Sequence, residues 1–311
     1  MISIIIPVLN EQNVLRELYN RVTQVLKEPA MPYELIFVND GSTDESEEIL
    51  EELRKQDPCV KIIELSRNFG HQLAIMAGLD YASGDAVITM DADLQHCPEL
   101  IRAMIEQWNQ GSEVVYTCRE PSQKTGILKR LTSRFFYALF NRLSAVQIPQ
   151  GTADFRLLDK KVVEALRQFP ERTLFIRGLV RWMGYRQKAI NYTADPRFAG
   201  ESKYSFLKML RLAIDGITSF SSIPLYFSMF FGIIISLCSF VYGTIVIYVR
   251  LFTNRAAQGT SSILAAILFL GGIILITLGI LGLYLGRIYD EVKSRPRYLV
   301  KKVCGLPEKH V

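Results

Sequence analysis

The chain opens with a nearly unbroken apolar run over residues 2–7, and a second such run covers residues 33–38. Both end at polar or turn residues, as strands buried on both faces of a parallel sheet do. Between them Val14, Leu18, Val22 and Val25 repeat at helical spacing, so the pattern predicts strand, crossover helix and parallel strand. An acidic-started helix over residues 42–56, a third strand over 60–65 and a fourth over 86–90 continue the alternation. The expected fold class is α/β, with a mostly parallel sheet covered by helices on both faces. No basic segment precedes the first run and no small-residue cleavage site follows it, so it is expected to be a strand and not a signal peptide.

Later in the chain the pattern changes twice. Over residues 204–220, Phe206, Leu210, Ala213, Ile214 and Ile217 fall on one helical face, with Lys208, Arg211 and Asp215 on the other. Such a helix can lie in a membrane interface or pack on the soluble domain. Beyond it, residues 216–249 and 256–286 carry no charge. Each stretch exceeds the roughly 20 apolar residues that cross a bilayer. The expected organisation is a catalytic domain over 1–203, an interfacial amphipathic helix over 204–222 and two transmembrane helices within 223–290, at about 225–249 and 263–285. A basic cytoplasmic tail over 291–311 follows.

Charge adds orientation. The net charge is +5, and basic residues flank the apolar stretches: Lys203, Lys208 and Arg211 before, then Arg287, Lys293, Arg295, Arg297, Lys301 and Lys302 after. The connecting loop holds only Arg250 and Arg255, so the positive-inside rule puts both chain ends on the cytoplasmic side. Basic residues placed there meet lipid headgroups, and no nucleic-acid partner is expected. Five scattered cysteines, without a CxxC pair, point to a reducing compartment and no zinc site. Gly271, Gly272, Gly279, Gly282 and Gly286 give the last apolar stretch a small-residue surface on which a homo-oligomer could pack.

The chemistry gathers at the strand ends, where open α/β sheets bind ligands. The first strand leads into Asn10-Glu11, the second into Asn39-Asp40 and the fourth into Asp91-Ala92-Asp93-Leu94-Gln95. No GxGxxG follows the first strand, which argues against a nicotinamide-binding fold. In extended chain, Asp91, Asp93 and Gln95 point the same way and could hold Mg²⁺ or Mn²⁺ through oxygen, leaving positions for a diphosphate. A solvated acidic turn is the alternative. Glu11 and Asp40 are candidates for a base or ribose, or else turn residues. Arg134, among the aromatics of Leu131-Thr132-Ser133-Arg134-Phe135-Phe136, would be costly to bury without an anionic partner.

Four motifs together resemble family 2 glycosyltransferases of the GT-A fold: Ile5-Ile6-Pro7-Val8-Leu9-Asn10-Glu11, Val38-Asn39-Asp40-Gly41-Ser42-Thr43-Asp44, Arg67-Asn68-Phe69-Gly70 and Asp91-Ala92-Asp93-Leu94-Gln95. Within that family the chain is similar to the polyprenyl-phosphate branch, which includes dolichol-phosphate mannose synthases and bacterial polyprenyl-phosphate (bactoprenol) glucosyltransferases. The resemblance implies that Pro7, Leu9, Glu11, Val38 and Asp40 frame the nucleotide and that Asp91 and Ala92 contact its ribose or diphosphate. Asp93 and Gln95, with Asp91, would hold the metal. Arg119, Arg197 and Lys203 would be phosphate-side cations, and Ser133 and Arg134 the acceptor-phosphate contact. Asp154 would be a catalytic carboxylate near the acceptor, or the partner of Arg156 or another cation. Gly178-Leu179-Val180-Arg181-Trp182 is similar to the QxxRW motif of processive members, with Gly178 in place of the Gln.

The implied activity is inverting, metal-dependent transfer of a hexose, most of all glucose from UDP-glucose, to polyprenyl phosphate at the cytoplasmic membrane face. A GDP-mannose-dependent mannosyltransferase, a processive polysaccharide synthase and a non-catalytic nucleotide-sugar-binding scaffold are the alternatives.

Overall fold

The computed structural model describes residues 1–27, 31–119, 149, 151–171, 175–192, 221–253 and 259–307. Eight strands form one sheet: β1 (Ile2–Val8), β2 (Tyr33–Asn39), β3 (Val60–Leu65), β4 (Ala86–Thr89), β5 (Val114–Arg119), β6 (Thr152–Asp159), β7 (Gln187–Tyr192) and β8 (Val300–Cys304). Their order across the sheet is β7-β5-β6-β4-β1-β2-β3-β8. Helices α1 (Leu15–Lys27), α2 (Ser46–Gln56), α3 (His71–Tyr81), α4 (Leu100–Asn109), α5 (Lys160–Arg167) and α6 (Ile176–Trp182) accompany it. This is a mixed sheet of GT-A type.

The central strands β4, β1, β2 and β3 are parallel, joined in chain order by three crossover helices, and they are the strands that read as continuous apolar runs. Ile4, Ile5, Ile6, Leu35, Ile36 and Phe37 are fully buried, which explains the absence of polar alternation. The flanks differ from the parallel expectation. Strand β6 inserts antiparallel between β4 and β5, and β8 adds antiparallel to the outer edge of β3.

Strand β8 corrects the picture of the last residues as a basic tail. Residues 295–311 belong to the same compact unit as 1–216. Lys301 and Lys302 pair with Glu64 and Glu51, and the buried Tyr298 donates its hydroxyl to Asp80 at 2.7 Å. Helix α2 also begins four residues later than expected, because Ser42 and Asp44 serve the loop before it.

The second unit, residues 217–294, consists of α7 (Ile223–Thr253) and α8 (Thr260–Val292). Apolar windows at Ile223–Ile245 and Phe269–Val292 are long enough to cross a membrane, and none of either is buried within the protein. Phe240 is 74% exposed and Leu275 71%. Apolar surface of this extent is stable in lipid and not in water, so the two helices associate the chain with a membrane. The expected interfacial helix over 204–220 lies outside the described residues.

Candidate functional site

Strands β1 and β2 end side by side, with Val8 opposite Asn39, so the loops that follow them meet. Asn10 takes a left-handed backbone (φ 57°), a conformation Asn tolerates better than most residues. Its Oδ1 accepts the Thr43 N–H at 2.8 Å, and its own N–H donates to Ser42 Oγ at 3.1 Å. The Glu11 N–H donates to Ser46 Oγ at 3.0 Å, and Gln12 exchanges hydrogen bonds with Asp44 and the Glu45 N–H. Residues 10–12 and 42–46 therefore form one laced shelf at the carboxyl edge of the sheet.

Asp40 ties a third loop to that shelf. Its two oxygens accept the N–H groups of Phe69 and Gly70 at 2.7 and 2.9 Å. Burial pushes its pKa up, and those two amides partly oppose the shift. Gly41 sits at φ +72°, and a Cβ there would stand 2.7 Å from Asn68 N and 2.8 Å from Arg67 C. Only glycine lets the loops approach so closely. Pro7 and Val38, paired in register, are buried beneath the shelf, whereas Leu9 and Glu11 are half-buried at its surface. Pro7 and Val38 could thus frame a nucleotide through backbone alone.

After β4 the chain turns instead of continuing extended. Leu94 has φ 56°, and the Gln95 N–H donates to Asp93 Oδ1 at 3.1 Å. Ala92 and Leu94 are nonetheless plugged into the core at 4% and 3% exposure, so Asp91, Asp93 and Gln95 remain on the open side. The expected common side is reached through a turn, because two apolar anchors hold the alternate residues down.

The antiparallel insertion of β6 brings a second set of charges to this place. Thr89 lies opposite Arg156, so the start of β6 meets the end of β4, and Thr89 Oγ1 donates to the Asp154 carbonyl at 2.6 Å. The Asp154 carboxylate takes a two-pronged contact from Arg177 on α6, Nε to Oδ1 at 2.8 Å and a terminal nitrogen to Oδ2 at 2.6 Å. Arg156 adds a bond at 3.2 Å and Gln72 one at 3.4 Å. Burial alone would raise the Asp154 pKa. The Arg177 charge and hydrogen bond, the His71 hydrogen bond and the Arg156 charge outweigh it and hold the carboxyl well below the usual range. Asp154 thus anchors two arginines, and Arg156 is among them.

His71, at the first turn of α3, drew no attention as a sequence feature. Its Nε2 lies 3.2 Å from Asp91 Oδ1 and 3.6 Å from Asp154 Oδ2, so it bridges the acidic turn and the β6 anchor. Burial works to lower its pKa, but the Asp154 hydrogen bond and the Asp91 and Asp154 charges leave it raised. His96 backs the turn from within, its ring stacked on Phe155 at 5.2 Å with Tyr192 edge-on at 6.1 Å. Burial, the largest influence, pushes Tyr192 up to about 12. The available signal for His71 was its position directly after Asn68-Phe69-Gly70, the loop that Asp40 clasps.

Arg119, at the end of β5, reaches Gln95 Oε1 at 3.4 Å and so stands at the same locus. Ser133, Arg134, Arg197 and Lys203 lie outside the described residues. A divalent cation fits the acidic turn on one observation: Asp91 Oδ1 is buried without a hydrogen bond, faced by His71 Nε2 at 3.2 Å, and a hard cation would complete its coordination. Among the described residues no three His, Cys, Asp or Glu side chains gather as a metal cage.

Residues 3–167 match the family described as Glycosyl transferase family 2. The chain is similar to an uncharacterized glycosyltransferase of Bacillus subtilis, YkcC, with 48% identity over 99% of this chain and 96% of the relative. It is similar also to the bactoprenol glucosyl transferase of Shigella phage SfII, with 42% identity over 97% of each. Among solved structures, glucosyl-3-phosphoglycerate synthase from Mycobacterium tuberculosis in complex with UDP has a TM-score of 0.48 and 17% identity, covering 70% of this chain and 79% of the other.

Proposed function

The chain belongs to glycosyl transferase family 2, and on that premise we propose that it transfers glucose from UDP-glucose to polyprenyl phosphate, inverting the anomeric centre, at the cytoplasmic membrane face. One observation carries the reading. An acidic turn whose Asp91 carboxylate has a buried oxygen without a hydrogen bond sits beside a dense Asp154, His71 and Arg177 network, in a chain that also bears two membrane-length helices. Similarity to bactoprenol glucosyl transferases over nearly the full chain supports the lipid phosphate as acceptor and glucose as the sugar. The same fold would serve a GDP-mannose donor, which is the second reading.

In this scheme the laced loops, with Glu11, Leu9 and Asp40, hold the nucleoside. Asp91, Asp93 and Gln95 would hold Mg²⁺ or Mn²⁺, which supplies positive charge against the departing diphosphate. Arg119, Arg197 and Lys203 would bind the donor phosphates, and Ser133 and Arg134 would bind the acceptor phosphate. A phosphate monoester has its second pKa near 6 and is largely a dianion at neutral pH, so it needs no general base. That agrees with an Asp154 whose oxygens are already taken. Arg177 and Asp154 would instead keep His71 fixed against Asp91, so that the turn is preorganised before substrate arrives. Basic residues flanking α7 and α8 support both chain ends on the cytoplasmic side.

The test is transfer from a panel of nucleotide sugars to polyprenyl phosphate by the full chain in vesicles. UDP-glucose should give the highest kcat/KM, and Arg134→Ala should impair use of the lipid far more than donor affinity. Donor turnover that ignores added polyprenyl phosphate would remove the proposal.

A further inference from the structure

We infer that the catalytic domain makes its own contact with an anionic lipid surface, through the last turn of α6 and the turn that leads into β7. Trp182, the final residue of α6, is 61% exposed, although tryptophan is a residue that folded proteins mostly cover. Outside the two long helices, Met1 and Leu299 are the other large apolar residues so exposed among the described residues. The indole is not loose. Phe169 packs edge-on against it at 5.7 Å and 84°.

Exposed cations neighbour it along the chain. Arg181, Arg186 and Lys188 are exposed, Arg186 with 75% of its side chain open, and residues 175–192 contain no acidic side chain. Glu113 reaches this strip, 3.8 Å from Arg186, and is shared with Lys161. Arg181 is bonded to the neutral Gln187. Gly184, at φ +73°, makes the turn that sets Tyr185 and Arg186 after Trp182. An amphipathic ring next to the exposed Arg181, in a stretch of net positive charge, matches the interface of an anionic bilayer, where indoles settle at headgroup depth and basic residues are attracted.

The strip is mechanically tied to the site, because Arg177 on the same helix clasps Asp154. Contact of Trp182 with headgroups would therefore hold the Asp154, His71 and Asp91 locus at a set height above the lipid phosphates. This deepens the proposed function and rests on its lipid-linked acceptor.

The chain has two tryptophans, and Trp108 is held by Asp159 through its indole N–H, so the emission lost in Trp182→Phe isolates Trp182. The full chain is reconstituted in phosphatidylglycerol-containing vesicles with acyl chains brominated near the headgroup, and in matched unbrominated vesicles. We expect brominated lipid to remove most of the Trp182 emission. We expect little loss in pure phosphatidylcholine, or when Arg181, Arg186 and Lys188 are together replaced by Gln. Equal Trp182 emission in brominated and plain vesicles overturns the inference, as does quenching indifferent to phosphatidylglycerol; a protein partner on this strip would give the first result. Transfer to polyprenyl phosphate in the same vesicles reports on the function separately. Quenching without transfer keeps the surface and removes the acceptor, while transfer without quenching removes the surface alone.

Discussion

Asp154→Asn distinguishes an anchor from a base. The substitution keeps the shape but takes away the charge facing Arg177 and Arg156, whose side chains are 28% and 3% exposed. Arg156 is the more demanding of the two: its Nε already lacks an acceptor, and burial pushes its pKa down to about 10. Breaking a buried ion pair by removing one partner costs about 3–5 kcal/mol, because the other charge is left uncompensated. Asn retains one acceptor oxygen, so the lower end, about 3 kcal/mol, is expected. For a domain of this size each kcal/mol moves Tm by about 2–4 °C, giving a fall of about 6–12 °C in detergent-solubilised protein followed by scanning calorimetry. Arg177→Gln should also destabilise, and the double variant should lose less than the two singles together, with a coupling of roughly 0.5–3 kcal/mol. An Asp154→Asn protein that melts like wild type yet has lost transfer would refute the reasoning and restore Asp154 as a proton acceptor.

Three further outcomes follow from the site and its frame. Asp93→Asn should abolish transfer while far-UV circular dichroism and Tm stay at wild-type values, since it weakens a cation site on the open side of the turn; undiminished metal-dependent turnover would contradict that role. Gly41→Ala forces an L side chain into the left-handed region, at about 1–2 kcal/mol, before the 2.7 Å encounter with Asn68 N is counted. It should lower Tm and weaken nucleotide binding in calorimetric titration, and an unchanged affinity would separate the laced shelf from the nucleotide. Tyr298→Phe removes a buried hydroxyl bonded to Asp80 and should cost about 1.5–3 kcal/mol in urea unfolding, against no change if β8 were a passive tail.

What the sequence disclosed depends on how far each signal reaches. Strands β1 to β4 were legible because both their faces are buried, which writes a continuous apolar run such as Ile4-Ile5-Ile6. The acidic turn was legible in composition, although its backbone was not: nothing in Asp91-Ala92-Asp93 announces that Ala92 and Leu94 serve as plugs. Strand β8 was hidden because Val300-Lys301-Lys302-Val303 reads as a basic tail until β3, far away in the chain, supplies Glu64. Asp154 was noticed without its principal partner, since Arg177 comes from a helix that sequence spacing does not connect to β6. His71 acquires its meaning only when the antiparallel insertion of β6 sets Asp154 opposite Asp91. Local pattern thus yields the central sheet, and long-range pairing decides which charges meet.

Strand β8 also bears on how the protein is made. Its partner β3 leaves the ribosome early, whereas β8 is translated only after both α7 and α8. At about 5–20 residues per second, the outer edge of β3 waits on the order of tens of seconds for its neighbour. An open edge is a template for unwanted pairing during that interval. Synthesis of both long helices therefore precedes completion of the sheet, and a nascent chain delayed at that stage would carry a bare strand edge. Slowing translocation, without altering any residue of the site, should increase aggregation of this protein more than that of a family member whose edge is closed before its helices are synthesised.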